Sequence, residues 1–407
     1  MADDRTDCCI VGAGPAGLVL ALLLLRSGVR VTVLERARSF DREYRGEILQ
    51  PGGLALLDEL DVLAGARARG AYEHRRFRLV EGGRTLLDID YRRLPAPYNF
   101  LLSIPQRHVL EELLDRCRAF DGFSYLAGTR ISELVHHAGR IAGVVGDGPD
   151  GRRTVLARCV VGADGRYSKT RTLAGIPAGR LDVFAQDVLW FKLPVPPPRS
   201  SPDVRIVRWS GSPVLAYHSW PDRVQLGWTL PHRGYPAVAA RGVGYVTGQI
   251  GRAVPEYADQ IHEHVRALSD LTLLDVFAGC ARRWAADGLL LIGDSAHTHS
   301  PIGAQGINLA VQDAVVAHPV LLAALRSGDV SAPRLDRFTG QRRRSVERVL
   351  RLQVMQSRAM LSAGRLATAV RPRVAKLLSH TPLYPKVLHR IAYGDRPVRV
   401  AADLFTA

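Results

Sequence analysis

Residues 12–17 read Gly-Ala-Gly-Pro-Ala-Gly, and no other feature narrows the possible folds of this chain so far. An apolar run, Asp7 to Val11, leads into these glycines, and Ala16 to Ser27 then has helical composition until Gly28 stops it. Val29 to Leu34 alternates apolar residues as a second strand and ends at Glu35. In such a strand–turn–helix–strand unit, Gly12 permits the sharp turn and Gly14 lets a pyrophosphate approach the backbone. Gly17, beside Ala16, permits close packing of helix on strand. The helix N-terminus, with its unpaired N–H groups and positive dipole end, favours a phosphate. Glu35 is placed to accept the ribose hydroxyls of an adenosine. The unit reads as dinucleotide-binding, and alone it leaves FAD and NAD open.

Two further motifs follow in order. Residues 288–297 read GLLLIGDSAH and continue through Ser300, Pro301, Ile302, Gly303, Ala304, Gln305, Gly306, Ile307 and Asn308. An apolar strand delivers Asp294, and a glycine-broken loop leads into a helix starting near Gly306. Between this motif and the first lies Asp164-Gly165, after the apolar run Cys159 to Gly162 and before Ser168 and Arg171. Together the three resemble the class A flavin-dependent monooxygenases, the aromatic hydroxylase family of para-hydroxybenzoate hydroxylase, over roughly residues 6 to 345.

The resemblance implies FAD as cofactor, NADPH or NADH as co-substrate, and dioxygen. It implies hydroxylation or epoxidation of an aromatic or polyketide-like small molecule through a flavin C4a-hydroperoxide, in secondary metabolism. Carried over by motif, Asp294 meets the ribityl chain and Pro301 lies near the flavin ring. The helix start at Gly303, Gly306, Ile307 and Asn308 faces the flavin N1–C2 edge, where a helix N-terminus stabilises the negative charge of reduced flavin. Asp164 belongs to the middle fingerprint, Arg45 and Gly46 to the pyrophosphate contact, and Arg107 to a further FAD contact. Arg36, with Arg38 and Arg42, offers charge for a 2′-phosphate, but in so arginine-rich a chain NADH and NADPH stay undistinguished.

The fold expected is a Rossmann-like α/β FAD-binding domain with an inserted, antiparallel β-sheet substrate domain. The FAD-binding pieces are 1–72, 104–178 and 281–345, the inserted sheet is 73–103 and 179–280, and 346–407 is a C-terminal helical segment. From Asp187 to Leu230, β-branched and aromatic runs alternate with proline-rich punctuation, as in hairpins. Strand alternation puts His218, Trp220, Leu226 and Trp228 within reach of one face, which makes them candidates for the substrate wall.

Composition excludes more than it identifies. The net charge of +16 comes from 55 basic residues, of which only Lys169, Lys192, Lys376 and Lys386 are lysine. That bias points to a GC-rich genome, and no nucleic-acid partner is expected. Five cysteines form no C-x-x-C pair, and His297 and His299 have H-x-H spacing without a carboxylate or cysteine cluster, so no metal is expected. Leu18 to Leu25 is too short to span a bilayer, and prolines break the basic segment holding Arg371, Arg373 and Lys386, so membrane contact is not expected. A cytoplasmic protein, monomer or homodimer, follows. The alternatives are a halogenase, although the W-x-W-x-I-P segment is absent and Gly227 to Pro231 only echoes it, a Baeyer–Villiger enzyme, and a flavin-binding accessory protein that does not oxygenate.

Overall fold

The computed structural model describes residues 4–41, 46–184, 186–197, 202–209, 212–361, 381, 384–394 and 397–406. Arg42, Arg45, Arg371, Arg373 and Lys376, singled out above, lie outside the described residues.

Five strands form a parallel sheet in the order Leu289–Leu291, Gly151–Gly162, Asp4–Val11, Val31–Glu35, Phe123–Ala127. Ala285–Ala286 adds an antiparallel edge, and the hairpin Arg130–His137/Arg140–Gly148 pairs with Gly151–Gly162. Cys8 and Cys9 point to opposite faces, yet both are fully buried, because such a sheet is covered on both sides. The helix Pro15–Arg26 is buried from Ala16 to Leu25, and each fully buried leucine in it contributes about 1.5–3 kcal/mol. It packs against Gln106–Arg118 and Gly306–Ser327. Ile302–Ser327 is long and apolar enough to cross a membrane, with mean hydropathy 1.5, but 67% of its apolar window is buried inside the protein. It is a core helix.

A second sheet runs in the order Thr272–Leu274, Gln186–Pro194, Arg223–Pro231, Ser212–Ser219, Val204–Trp209, Arg76–Glu81, Arg84–Asp90. Its joins are antiparallel except the parallel one between Val204–Trp209 and Arg76–Glu81, where two distant chain segments meet. One face packs on the helices Val243–Ala253 and Ala258–His264 through a core that includes Val214, Leu226, Trp228, Val246 and Ile250. The other face contributes Val188, Trp190, Val204 and Tyr217 to a core shared with Leu388 and Ala392 of the helix Tyr384–Tyr393. The helix Arg337–Leu361 runs unbroken across residue 345, so the C-terminal segment does not begin at a hinge there.

Candidate active site

Strand register brings the three motifs to one place. Val11 lies opposite both Leu34 and Gly162, and Gly162 lies opposite Leu291. The chain therefore leaves the sheet at Gly12, Ala163 and Ile292 along a single carboxyl edge, where doubly wound sheets bind their ligands. Each glycine of the first motif has a distinct reason. A Cβ on Gly12, whose φ is +108°, would sit 2.5 Å from the Ala163 carbonyl oxygen, and one on Gly17 would sit 1.9 Å from that of Gly12. A Cβ on Gly14 would meet nothing within 4 Å. Two glycines are consumed by packing, and the third opens onto free space beside the helix start at Pro15, which carries no side-chain cap.

Glu35 is buried, and its two carboxylate oxygens accept from the backbone N–H groups of Ala13 and Ala37, both at 2.9 Å. It braces the glycine turn while each oxygen keeps a further lone pair. Arg36 is exposed just beyond it. Gly46 takes a φ of +97°. Arg107, in the first turn of its helix, faces Asp41 at 3.6 Å in an exposed pair.

Asp164 and Asp294 differ in what they have left to offer. The Asp164 carboxylate accepts from the Ser168 and Ser295 hydroxyls and from the Thr170 backbone N–H and hydroxyl. The Gly165 N–H donates back to Ser295 Oγ at 3.1 Å, and Arg171 donates to the Ser295 carbonyl at 2.8 Å. Asp164 thus ties the middle motif to the third, with Ser295 as the link. The Asp294 carboxylate accepts no hydrogen bond among the described residues, keeps a third of its side chain exposed, and faces Arg166 at 3.9 Å. Burial raises its pKa, opposed by Arg166 and His297.

Beneath that turn lies a charged cluster that sequence reasoning missed. Asp313, fully buried in the helix Gly306–Ser327, accepts from the Gly293 N–H at 2.9 Å, His297 Nε2 at 2.6 Å and Arg342 Nε at 2.8 Å. His297 Nδ1 meets His299 Nε2 at 3.1 Å. His297 is therefore occupied in holding the turn that presents Asp294. The signal was available: an aspartate inside an otherwise apolar helix needs a buried partner. Among the described residues the histidine–carboxylate group tight enough for a metal is Asp187, His232 and Asp275 instead. There Asp187 accepts from His232, the Arg233 N–H and the Val276 N–H, and Arg180 grips Asp275 with two bonds of 2.8 Å.

The loop after the third motif is held from below and opens above. Gly303 and Ala304 both take positive φ, +74° and +51°. Asn308 is buried: its Oδ1 accepts from the Gln50 N–H at 3.0 Å and its Nδ2 donates to the Ala304 carbonyl at 2.7 Å. The Gln50 amide donates to the Gly303 carbonyl and accepts from the Tyr91 hydroxyl. Asn308 thus pins the loop, and the open ground at the helix start is backbone: a Cβ on Gly306 would meet nothing within 4 Å, and no side chain caps this end.

Above the loop is a cavity of about 610 Å³, enclosed by the second sheet, residues 300–304 and the helix Tyr384–Tyr393. Its size is that of a small-molecule site. Pro301 and Gly303 line it together with Phe77, Trp190, Leu215 and Leu388.

The four residues expected on the substrate wall do not line it. Leu215 pairs with Gly227, while Val214 pairs with Trp228 and Ala216 with Leu226. Successive side chains alternate faces, so Leu215, Gly227 and Thr229 face the cavity and Leu226 and Trp228 face the helices behind the sheet. Trp228 stands edge-on to Tyr245 there. His218 meets the Tyr72 ring edge-on, and Trp220 is a surface residue over Tyr72 and Gly70. The cavity's aromatic wall comes from the next strand: Trp190 lies across Gly227, where a Cβ would fall 2.7 Å from its ring. We therefore expect Trp228→Ala to cost about 3–5 kcal/mol as a core truncation. Chemical denaturation would detect that loss; full stability with impaired coupling of reductant to product would return Trp228 to the substrate wall.

Comparison with known proteins adds to this geometry. The FAD binding domain family matches over residues 5–353. The chain is 63% identical over 402 residues to 6-methylpretetramide 4-monooxygenase of Streptomyces rimosus, spanning 98% of this chain and 95% of that one. The structure of P. aeruginosa PqsL in complex with 2-aminobenzoylacetate aligns with a TM-score of 0.75 at 26% identity, covering 92% of this chain and all of that one. p-Nitrophenol 4-monooxygenase PnpA of Pseudomonas putida DLL-E4 aligns with a TM-score of 0.78, covering 97% of this chain and 100% of that one. At 20% identity, that last likeness speaks for the fold alone.

Proposed function

The chain belongs to the FAD binding domain family and is a class A flavin-dependent monooxygenase, and from that premise we propose that it hydroxylates a planar polycyclic amide of polyketide type, with NADPH or NADH as reductant. The observation that carries the substrate class is the 63% identity, over nearly the full length of both chains, to an enzyme named for 6-methylpretetramide. The cavity above Pro301 supports it, since its apolar and aromatic lining suits a fused-ring ligand.

The residues at the sheet edge fit FAD. Gly14 leaves open the space a pyrophosphate needs, next to uncapped helix N–H groups. Glu35 would take the adenosine ribose, Asp294 with its unengaged carboxylate the ribityl chain, and the backbone at Gly306 and Ile307 the flavin edge. Arg36, just past Glu35, Arg107, facing Asp41, and Gly46 would supply outer contacts. When bound, FAD supplies the activation of dioxygen. The protein's part is to seat the substrate against Pro301, to exclude water with the Tyr384–Tyr393 helix and the sheet wall, and to hold the loop in place through Gln50 and Asn308. On this reading 1–72, 104–178 and 281–345 serve FAD and 73–103 and 179–280 the substrate, while Gln356, Leu388 and Ile391 from the segment 346–407 add to the cavity wall. A cytoplasmic location agrees with dependence on a nicotinamide reductant.

The test is oxidation of NADPH and of NADH by the FAD-loaded protein, with and without 6-methylpretetramide. The compound should accelerate oxidation and appear as a product one oxygen atom heavier. Oxidation indifferent to it, with the compound recovered unchanged, would remove the substrate class.

A further inference from the structure

Polar side chains around the cavity differ in how far the protein engages them. Gln50, Tyr91, Thr229 and Ser300 are engaged with the protein: Gln50 with Gly303 and Tyr91, Thr229 with the Pro213 carbonyl, Ser300 with the Ile302 N–H. Among the described residues the buried Trp190 Nε1 has no partner, the Gln186 side chain hydrogen-bonds to nothing, and neither does that of Gln356, half-buried on the cavity wall.

Its position is fixed from one turn earlier on the same helix. The Gln353 amide donates to the Ser300 carbonyl at 2.9 Å and to the Ile302 carbonyl at 2.8 Å, which clamps this helix to the loop. Residues three apart share a helix face, so Gln356 is held beside the loop it does not itself bind. Its amide oxygen lies 3.5 Å from where a Cβ on Gly303 would sit. That is ordinary contact distance, so Gly303 serves the positive φ and Gln356 lies against the loop.

We propose that Gln356 is a specificity-determining residue of the oxygenation, its amide hydrogen-bonding a carboxamide or keto–enol oxygen of the polycyclic substrate where it meets residues 301–304. The proposal rests on the substrate reading above. An amide both donates and accepts, so it complements a neutral carboxamide or a hydrogen-bonded keto–enol pair better than a fixed charge would. A fused-ring phenol without such a group fills the same apolar walls and leaves Gln356 unsatisfied, and that difference sets the preference.

The experiment measures equilibrium binding to the FAD-loaded protein, read from the flavin absorbance, for 6-methylpretetramide and for 1,8-dihydroxyanthracene. Gln356→Met keeps the length and loses the hydrogen bonds. It should weaken 6-methylpretetramide by about three- to tenfold and leave 1,8-dihydroxyanthracene, flavin content and melting temperature unchanged. A residue that merely supports the fold would shift both ligands together. If Gln356→Met loses flavin, Gln356→Glu, which keeps the acceptor without the donors, replaces it with the same expected selectivity. Equal weakening of both ligands, or none, overturns the role of Gln356 alone. An unmodified protein that does not bind 6-methylpretetramide overturns the substrate reading and this proposal with it.

Discussion

Asp313→Ala should cost about 3–5 kcal/mol of stability, because it leaves buried charge without its partner. Arg342 and His297 are almost wholly buried and both point at this carboxylate, at 2.8 and 2.6 Å. The same carboxylate holds the Gly293 N–H, so the turn presenting Asp294 loses its support and FAD should bind more weakly as well. Burial alone would raise the Asp313 pKa, but His297 and Arg342 overcome it and hold the carboxyl well below the usual range. Its contribution is therefore complete above the unfolded carboxylate pKa of about 3.9 and fades as pH falls below that. Urea unfolding and FAD titration on one preparation measure both effects. A variant within about 1 kcal/mol of the parent, retaining its flavin, would show the cluster to be dispensable.

The second large effect is acid sensitivity at milder pH. Burial pushes His299 down to about 3 and His318 down to about 4. His318 sits fully buried with Nε2 at 2.8 Å from Ser27 Oγ, and His299 is enclosed beside His297. For a base with a lowered folded pKa, the unfolded chain gains a proton that the folded one refuses. Stability must then fall as pH drops through about 6.5 and keep falling to the folded value. Each group costs up to about 1.4 kcal/mol per pH unit in that window, so the pair costs up to about 2.7 per pH unit and about 5 between pH 6 and 4. Against a total of about 5–15 kcal/mol, that removes a large share of the protein's stability. Melting temperatures across pH 8 to 5 would show a steep decline beginning near 6.5, whereas a flat profile would mean that these rings accept protons in place.

Particular residues show why some of this was legible in the sequence. The strand endings at Val11, Gly162 and Leu291 could be read because fully apolar runs terminate in glycine turns, and those endings alone put three motifs on one edge. The substrate wall was not legible. Alternation says that Leu226 and Trp228 share a face, but not which face meets the cavity, and a one-residue change in parity exchanges core for site. Aromatic content pointed to the wrong parity, since Trp228 is needed by the helices behind the sheet as much as Trp190 is by the cavity. The side chains of Asp164 and Asn308, both expected at the cofactor, are engaged with the neighbouring loops. Gln50, Gln356 and the helix Tyr384–Tyr393 went unnoticed because a glutamine, or a short amphipathic helix far along the chain, carries no local mark of the cavity it closes.

We propose that the edge formed by residues 12–17, 164–165 and 293–308 holds FAD for inserting an oxygen atom from dioxygen into a ligand seated above Pro301. The most direct test is product mass after reaction of the FAD-loaded protein with NADPH, 6-methylpretetramide and isotopically heavy dioxygen in ordinary water. One heavy oxygen atom in the product is the expected result. A product carrying only ordinary oxygen, or NADPH consumed with peroxide as the sole outcome, would contradict it.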